Sequence, residues 1–341
     1  MRFIQVGVGG FGNCWVNALK ANPQAEVVGM VDINPEALAA ACETGGYDQT
    51  ICHPSLAQAL DRVEADAAVV CTPPEHHLAP VCEALRVGLD VISEKPMADT
   101  MDNCKTMLRT ARETGRRYVV SQNYRYRAST WTLAQQVGDG AIGDIGQVKV
   151  DFYMGKDFGG GFRHEMDYPL IVDMSIHHFD LMRYITGLNP VAVQGVSWNP
   201  PWSNYRGDCS SVVVFEMDNG ARIVYNASWC AKGQFNGWNA NWQIEGGKGT
   251  LTFDDDRIQR LDVPTLYDVE ATVDIEPEDL PLEGQAYVLD EFIRTHATGR
   301  RPATDVYDNI YSIAMVYAAV EAIQTGARVE ILDDELKQLL A

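Results

Sequence analysis

The sequence predicts an α/β protein of two domains, an N-terminal doubly wound parallel sheet followed by an α/β domain with a mostly antiparallel open sheet. Three observations predict it. The chain has 341 residues, more than twice the roughly 150 that one hydrophobic core usually supports. Up to Gln122, short β-rich apolar runs alternate with helix-length segments, the pattern of parallel strands joined by crossover helices. After Asn123, strand-like runs follow one another with short turns between them, as in an antiparallel sheet. The expected division is residues 1–122 and 123–341.

Taken in order, the strands expected in the first domain are Phe3 to Val8, Glu26 to Val31, Ala67 to Cys71, Asp90 to Ser93 and Tyr118 to Val120. Unbroken apolar runs such as "AAVVC" fit strands covered on both faces. After one helical segment, strands are expected at Gln147 to Met154, Val191 to Trp198, Ser211 to Met217, Ala221 to Trp229, Trp242 to Glu245 and Thr250 to Phe253. "DNG" at Asp218 to Gly220 and "GGKG" at Gly246 to Gly249 supply turns. Two helices close the chain, one ending near Gly299 and one from about Asp305 to Thr325, with Gly326 as a C-terminal cap.

Composition narrows the partners. With 47 acidic against 27 basic residues the net charge is -20, a field that repels phosphate backbones and anionic lipid. Nucleic acid and membrane are therefore not expected as partners, and no apolar stretch is long enough to span a bilayer. An anionic cofactor would have to be held by local backbone amides. The eight cysteines include no C-x-x-C pair, so reduced thiols are expected and no metal site. Met1 to Gly9 runs directly into a strand pattern with no room for a secretory signal, and a cytoplasmic location is the expectation.

Gly7, Gly9 and Gly12 form G-x-G-x-x-G at the end of the first expected strand, with Gly10 and Phe11 in the same loop. Asp32 ends the second strand twenty residues after Gly12. Glycines at these spacings permit a tight turn, close approach of a pyrophosphate to the backbone, and tight helix packing; the acid accepts from ribose hydroxyls. This is the signature of a Rossmann domain. A 2′-phosphate at Asp32 would meet like charge, and residues 33–36 hold no Arg or Lys, so NAD is expected rather than NADP. Thr72 and Pro73 follow the "AAVVC" strand, and Glu94 and Lys95 follow "DVIS". Both pairs lie at carboxyl ends of parallel strands, where ligands collect.

In the second domain the segment from Gly159 to Gly187 is the most informative. Asp173, His177 and Asp180 stand at i, i+4 and i+7, one stripe of a helix. The plain alternative is a first-turn Asp that stabilises the helix dipole and a hydrogen-bonded core His. A metal is not expected, because the adjacent His177 and His178 point about 100° apart on a helix. Arg163 and His164, just before the segment, are the candidate substrate contacts. The clustered Trp198, Trp202, Trp229, Trp238 and Trp242 are expected mostly to pack the sheet.

The glycine loop, Asp32, Thr72-Pro73, Glu94-Lys95-Pro96 and Asp173-x-x-x-His177, in this order and spacing, resemble the glucose-fructose oxidoreductase and inositol dehydrogenase family along nearly the whole chain. The resemblance implies that Lys95, Asp173 and His177 are catalytic, that His77 lies near the cofactor, and that the open sheet forms a homodimer or homotetramer. It implies hydride transfer between NAD and a secondary alcohol of a sugar, glycoside or cyclitol.

In such chemistry His177 is the candidate general base, Asp173 orients it or binds a hydroxyl, and Lys95 stabilises developing alkoxide or shares the base role. Lys95 from the first domain and His177 from the second are expected to act on one carbinol. Two alternatives accompany this expectation: an NAD-dependent glycosidase working by transient oxidation and elimination, and a non-catalytic protein that senses dinucleotide or sugar.

Overall fold

The computed structural model describes residues 1–266 and 268–341. They form two compact units, one comprising Met1–Asn123, Leu282–Ile310 and Gln338–Ala341, the other Tyr124–Pro281 and Tyr311–Lys337.

The first unit is built on six parallel strands: β1 (Arg2–Val6), β2 (Glu26–Val31), β3 (Cys52–His53), β4 (Ala67–Val70), β5 (Asp90–Ser93) and β6 (Tyr118–Val120). Their order, β3-β2-β1-β4-β5-β6, is that of the doubly wound dinucleotide fold, with the switch point between β1 and β4. The sheet is buried through Phe3, Ile4, Val69, Val91 and Ile92, which explains why these strands read as continuous apolar runs. Helices Gly12–Ala21, Pro35–Gly45, Leu78–Arg86 and Met101–Thr114 make the crossovers. The Asn34 side chain caps the second of them by accepting from Glu36 N, and Thr100 caps the fourth by accepting from Asn103 N. Helix Gly284–Thr298 also belongs to this unit: Phe292 packs on Phe3, and Arg117 donates to Thr295 O at 2.9 Å.

The second unit holds nine strands: β7 (Ile145–Tyr153), β8 (Pro190–Trp198), β9 (Ser210–Met217), β10 (Arg222–Ser228), β11 (Asn241–Gly246), β12 (Gly249–Asp254), β13 (Arg257–Asp262), β14 (Ala271–Ile275) and β15 (Val329–Glu330). Their order is β14-β13-β12-β11-β7-β10-β9-β8-β15, and every pairing except β7 with β10 is antiparallel. The expected open, mostly antiparallel sheet is present. Alternation fixes which face is covered: Val213, Phe215, Ile223 and Tyr225 point inward, and Phe179 meets Phe215 and Tyr225 edge-on from helix Ser175–Thr186. That helix is buried nearly all round, so its polar residues need protein partners. No helix among the described residues is long and apolar enough to cross a membrane.

Candidate functional site

In the first unit the candidate residues gather at the carboxyl edge of the sheet. Gly7 has φ +83°, and a Cβ there would lie 2.8 Å from the backbone of Cys71 and Thr72; one on Gly12 would lie 2.4 Å from Gly7 O. Both positions therefore exclude any side chain. Gly9, Gly10 and Phe11 are exposed beside them, and Gly10 has open space around it. The buried Gln5 side chain clamps the loop from below, donating to Gly7 O at 3.1 Å and Gly12 O at 2.7 Å. Asp32 accepts from Val8 N at 3.0 Å, Gly9 N at 3.4 Å and Asn34 N at 2.9 Å, which sets its carboxylate against the loop. Helix Gly12–Ala21 has no acidic residue in its first turn. An exposed, glycine-rich turn at a helix start with an acid alongside fits a dinucleotide.

Thr72 and Pro73 stand after β4, and Glu94 and Lys95 after β5. Glu94 is a buried brace: the Trp15 indole donates to Oε1 at 2.8 Å and the Lys95 backbone N–H to Oε2 at 3.1 Å. Burial pushes its carboxyl above the ordinary glutamate value, against those hydrogen bonds. His77 is 1% exposed and joins the two edge loops, with Nε2 2.7 Å from Thr72 O and Nδ1 3.2 Å from Met97 O. Burial lowers its pKa, partly offset by the carbonyls it faces.

In the second unit Asp173 lies in a π-helical turn, Leu170–Met174, that runs directly into helix Ser175–Thr186 carrying His177. Asp173 thus sits in the wider π-wound turn, whereas His177 and Asp180 share the regular helix that continues it. The Arg163 guanidinium donates through Nε to Asp173 Oδ2 at 2.5 Å and lies 4.8 Å and 4.5 Å over the rings of Phe158 and Phe162. Asp180 faces Arg125, which donates through Nε and Nη2 at 2.6 Å each, and Ser312 donates to the same carboxylate at 2.7 Å. Asp180 thus braces the helix.

His177 is 6% exposed, its ring stacked on Tyr124 at 3.9 Å and 14°. The Arg127 guanidinium lies 3.4 Å over the Tyr124 ring and donates to the Asn239 side chain. Its neighbour His178 is a core residue between Tyr225 OH and Trp238 O, 2.9 Å from each, and burial depresses its pKa to about 4. His164 stacks on Tyr205 at 4.8 Å, with Nε2 3.2 Å from Asp157 Oδ1.

The structure thus brings Arg163 to Asp173 within the second unit, and Thr72, His77, Glu94 and Lys95 to one sheet edge within the first. Tyr124 and Arg127 escape sequence reasoning. Their only signal is the aromatic and basic run "NYRYR" directly after the last parallel strand.

Comparison with known proteins agrees with this geometry. Residues 1–122 match the model described as "Oxidoreductase family, NAD-binding Rossmann fold", and residues 134–331 match its C-terminal alpha/beta domain. An uncharacterized protein of Sinorhizobium fredii, y4oX, is 30% identical over 97% of this chain and 95% of its own length. Inositol 2-dehydrogenase of Rhizobium meliloti is 24% identical, covering 97% and 99%. The crystal structure of an oxidoreductase from Agrobacterium radiobacter in complex with NAD+, L-tartaric acid and magnesium superposes with a TM-score of 0.88 at 21% identity, over 97% of this chain and 98% of that one. The first unit accordingly contains an NAD-binding Rossmann domain, and the chain belongs to the glucose-fructose oxidoreductase and inositol dehydrogenase family of NAD-binding oxidoreductases.

Proposed function

We propose that this protein catalyses reversible NAD-dependent oxidation of a secondary alcohol on a sugar, glycoside or cyclitol. The observation that carries this reading is His177: an imidazole held flat on Tyr124, next to a turn in which Asp173 is ion-paired to Arg163. A hydroxyl proton needs an acceptor fixed in orientation, and an imidazole stacked on Tyr124 meets that condition. The name of the inositol 2-dehydrogenase relative supports a cyclitol or sugar as the substrate class.

In this reading Gly7, Gly9, Gly10, Phe11 and Gly12 hold the pyrophosphate and Asp32 the adenosine ribose, with Thr72, Pro73, His77 and Glu94 shaping the edge beside them. Bound NAD supplies the hydride acceptor. His177 takes the hydroxyl proton. Asp173 and Arg163, with His164, hold neighbouring hydroxyls, and the Lys95 ammonium stabilises the alkoxide. The protein works as a homodimer or homotetramer through its open sheet, in the cytoplasm.

The test is a panel of sugars, glycosides and cyclitols mixed with protein and NAD while reduced nicotinamide is followed. Turnover of at least one polyol is expected. Absence of turnover with every member, in both directions, overturns the proposal.

A further inference from the structure

Two thiols with no part in the chemistry proposed above meet at one end of the β9–β10 pair. Cys209 precedes β9 and Cys230 follows β10, and the register that sets Ser210 opposite Ser228 brings them together. Their Sγ atoms are 2.8 Å apart, with the Cys209 thiol donating to the Cys230 sulfur. Even non-bonded carbon atoms sit roughly 3.5–4.0 Å apart at their optimum, and sulfur is larger. A disulfide spans about 2.05 Å, so a movement of under about 1 Å would join them.

The surroundings favour reaction at one sulfur. Cys209 is fully buried, whereas Cys230 retains 8% exposure. The Ser210 and Ser228 hydroxyls lie 3.6 Å from the Cys230 sulfur. Hydrogen bonding from Cys209 and then from these serines pulls the Cys230 thiol below its ordinary value and outweighs burial, while Cys209 is pushed up. The other close pair, Cys42 and Cys52 at 3.2 Å, lacks this feature, since burial pushes Cys52 up to about 12.

We propose that Cys209 and Cys230 are a redox modification site, closed by hydrogen peroxide into a reversible disulfide that loosens the segment 199–208. The Cys230 thiolate attacks the peroxide oxygen, the O–O bond breaks, and the departing hydroxide takes up a proton to become water. The Cys209 thiol then attacks the sulfenic sulfur, forming S–S and, with its own proton, expelling a second water. Two thiols lose two electrons and one molecule of hydrogen peroxide gains them.

The consequence for the segment is direct. The Cys209 sulfur is also 3.2 Å from Asn199 Oδ1 and 3.1 Å from Ser203 Oγ, so its one S–H serves either Cys230 or Asn199. A disulfide has no S–H to offer, so that donor is lost. Asn199 in turn donates to Tyr205 O at 2.8 Å, and the Tyr205 ring lies between His164 and Trp229. Thiol state is thereby linked to a residue proposed to hold substrate.

The test uses the full-length protein treated with hydrogen peroxide, quenched in acid, unfolded, alkylated and digested for mass spectrometry. The expected product is a Cys209–Cys230 linked peptide, lighter by two hydrogens and restored by dithiothreitol. Cys14, which is exposed, reports that oxidant was delivered. Recovery of both Cys209 and Cys230 as alkylated thiols after Cys14 has been consumed overturns the proposal, as does linkage of Cys42 to Cys52 alone. In Cys209→Ser the link disappears and Cys230 is trapped by dimedone as a sulfenic acid; absence of that adduct assigns the chemistry elsewhere. Amide hydrogen exchange in 199–208 is expected to quicken on oxidation, and unchanged exchange overturns the loosening. The wild-type mapping depends on no variant folding and on no substrate being known.

Discussion

The glycine loop of the first unit and the His177 helix of the second are held by opposite means. The loop is shaped by missing atoms: at Gly7 and Gly12 a single added carbon would enter the backbone of a neighbouring segment. The helix is shaped by side chains arriving from far along the chain, with Arg125 and Ser312 on Asp180, Tyr124 on His177, and Tyr225 on His178. The first arrangement is backbone against backbone and intolerant of volume. The second is side chain against side chain and intolerant of unpaired charge, which makes the two separable by mutation.

The largest expected effect falls on stability in the second unit. Asp180→Ala leaves the buried Arg125 guanidinium uncompensated and is expected to lower the unfolding free energy by about 3–5 kcal/mol. Denaturant titration measures it, and a loss under about 1 kcal/mol would show that buried charge does not hold this helix.

Protonation of His178 tests the same idea without a large structural change. Its folded pKa of about 4 lies below the ordinary 6.5, so the unfolded chain binds the proton more readily. Stability is fully present above 6.5 and is lost as pH falls toward 4, by about 3 kcal/mol in total. His178→Gln is expected to flatten that part of the pH–stability curve. An unchanged slope would contradict it.

Catalysis comes next. His177→Ala and Lys95→Ala are each expected to lower turnover at least about a hundredfold, equivalent to ~2.7 kcal/mol, while NAD still binds. Near-normal rates on a polyol that the wild type oxidises would remove both residues from the proposed roles.

His77 sharpens the comparison from the first unit, where a side chain rather than a glycine joins the loops. His77→Ala is expected to reduce kcat/KM by roughly tenfold, through the Thr72 and Met97 carbonyls it faces, and His77→Gln to recover part of the loss. Equal kinetics for the two variants would argue against a hydrogen-bonding role.

The smallest effect is at Gly10, where nothing lies within 4 Å of an added Cβ and only the φ of +51° is strained. Gly10→Ala is expected to weaken NAD binding by about 1 kcal/mol, a change that titration calorimetry resolves. A loss as large as that from Gly7→Ala would mean that volume is restricted throughout the loop.

These contrasts also explain what the sequence revealed. Local features were legible: Gly7, Gly9, Gly12 and Asp32 announce themselves by spacing, the parallel strands by unbroken apolar runs, and β9 and β10 by the intervening "DNG". Features made by long-range pairing were not. Nothing in the neighbourhood of Asp180 names Arg125 as its partner, and nothing near Tyr124 announces a stacked imidazole more than fifty residues away. The two-residue β3 and β15 are too short to leave a period-2 pattern. Helical spacing grouped Asp173 with His177 and Asp180 but announced neither the π-helical turn at Leu170–Met174 nor the Arg163 and Arg125 guanidinium groups that meet the two carboxylates.

Helix Gly284–Thr298 bears on how the polypeptide could be cut. It stands more than 160 residues beyond β6, yet Phe292 covers Phe3, Thr295 receives Arg117, and His296 Nδ1 lies 3.0 Å from Asp90 Oδ2. A fragment stopping at residue 123 would carry every glycine of the nucleotide loop and still expose the flank this helix shields. Binding studies on such a truncated piece would report on a damaged scaffold, whereas a fusion restoring 282–310 through a short linker would be the better minimal nucleotide binder.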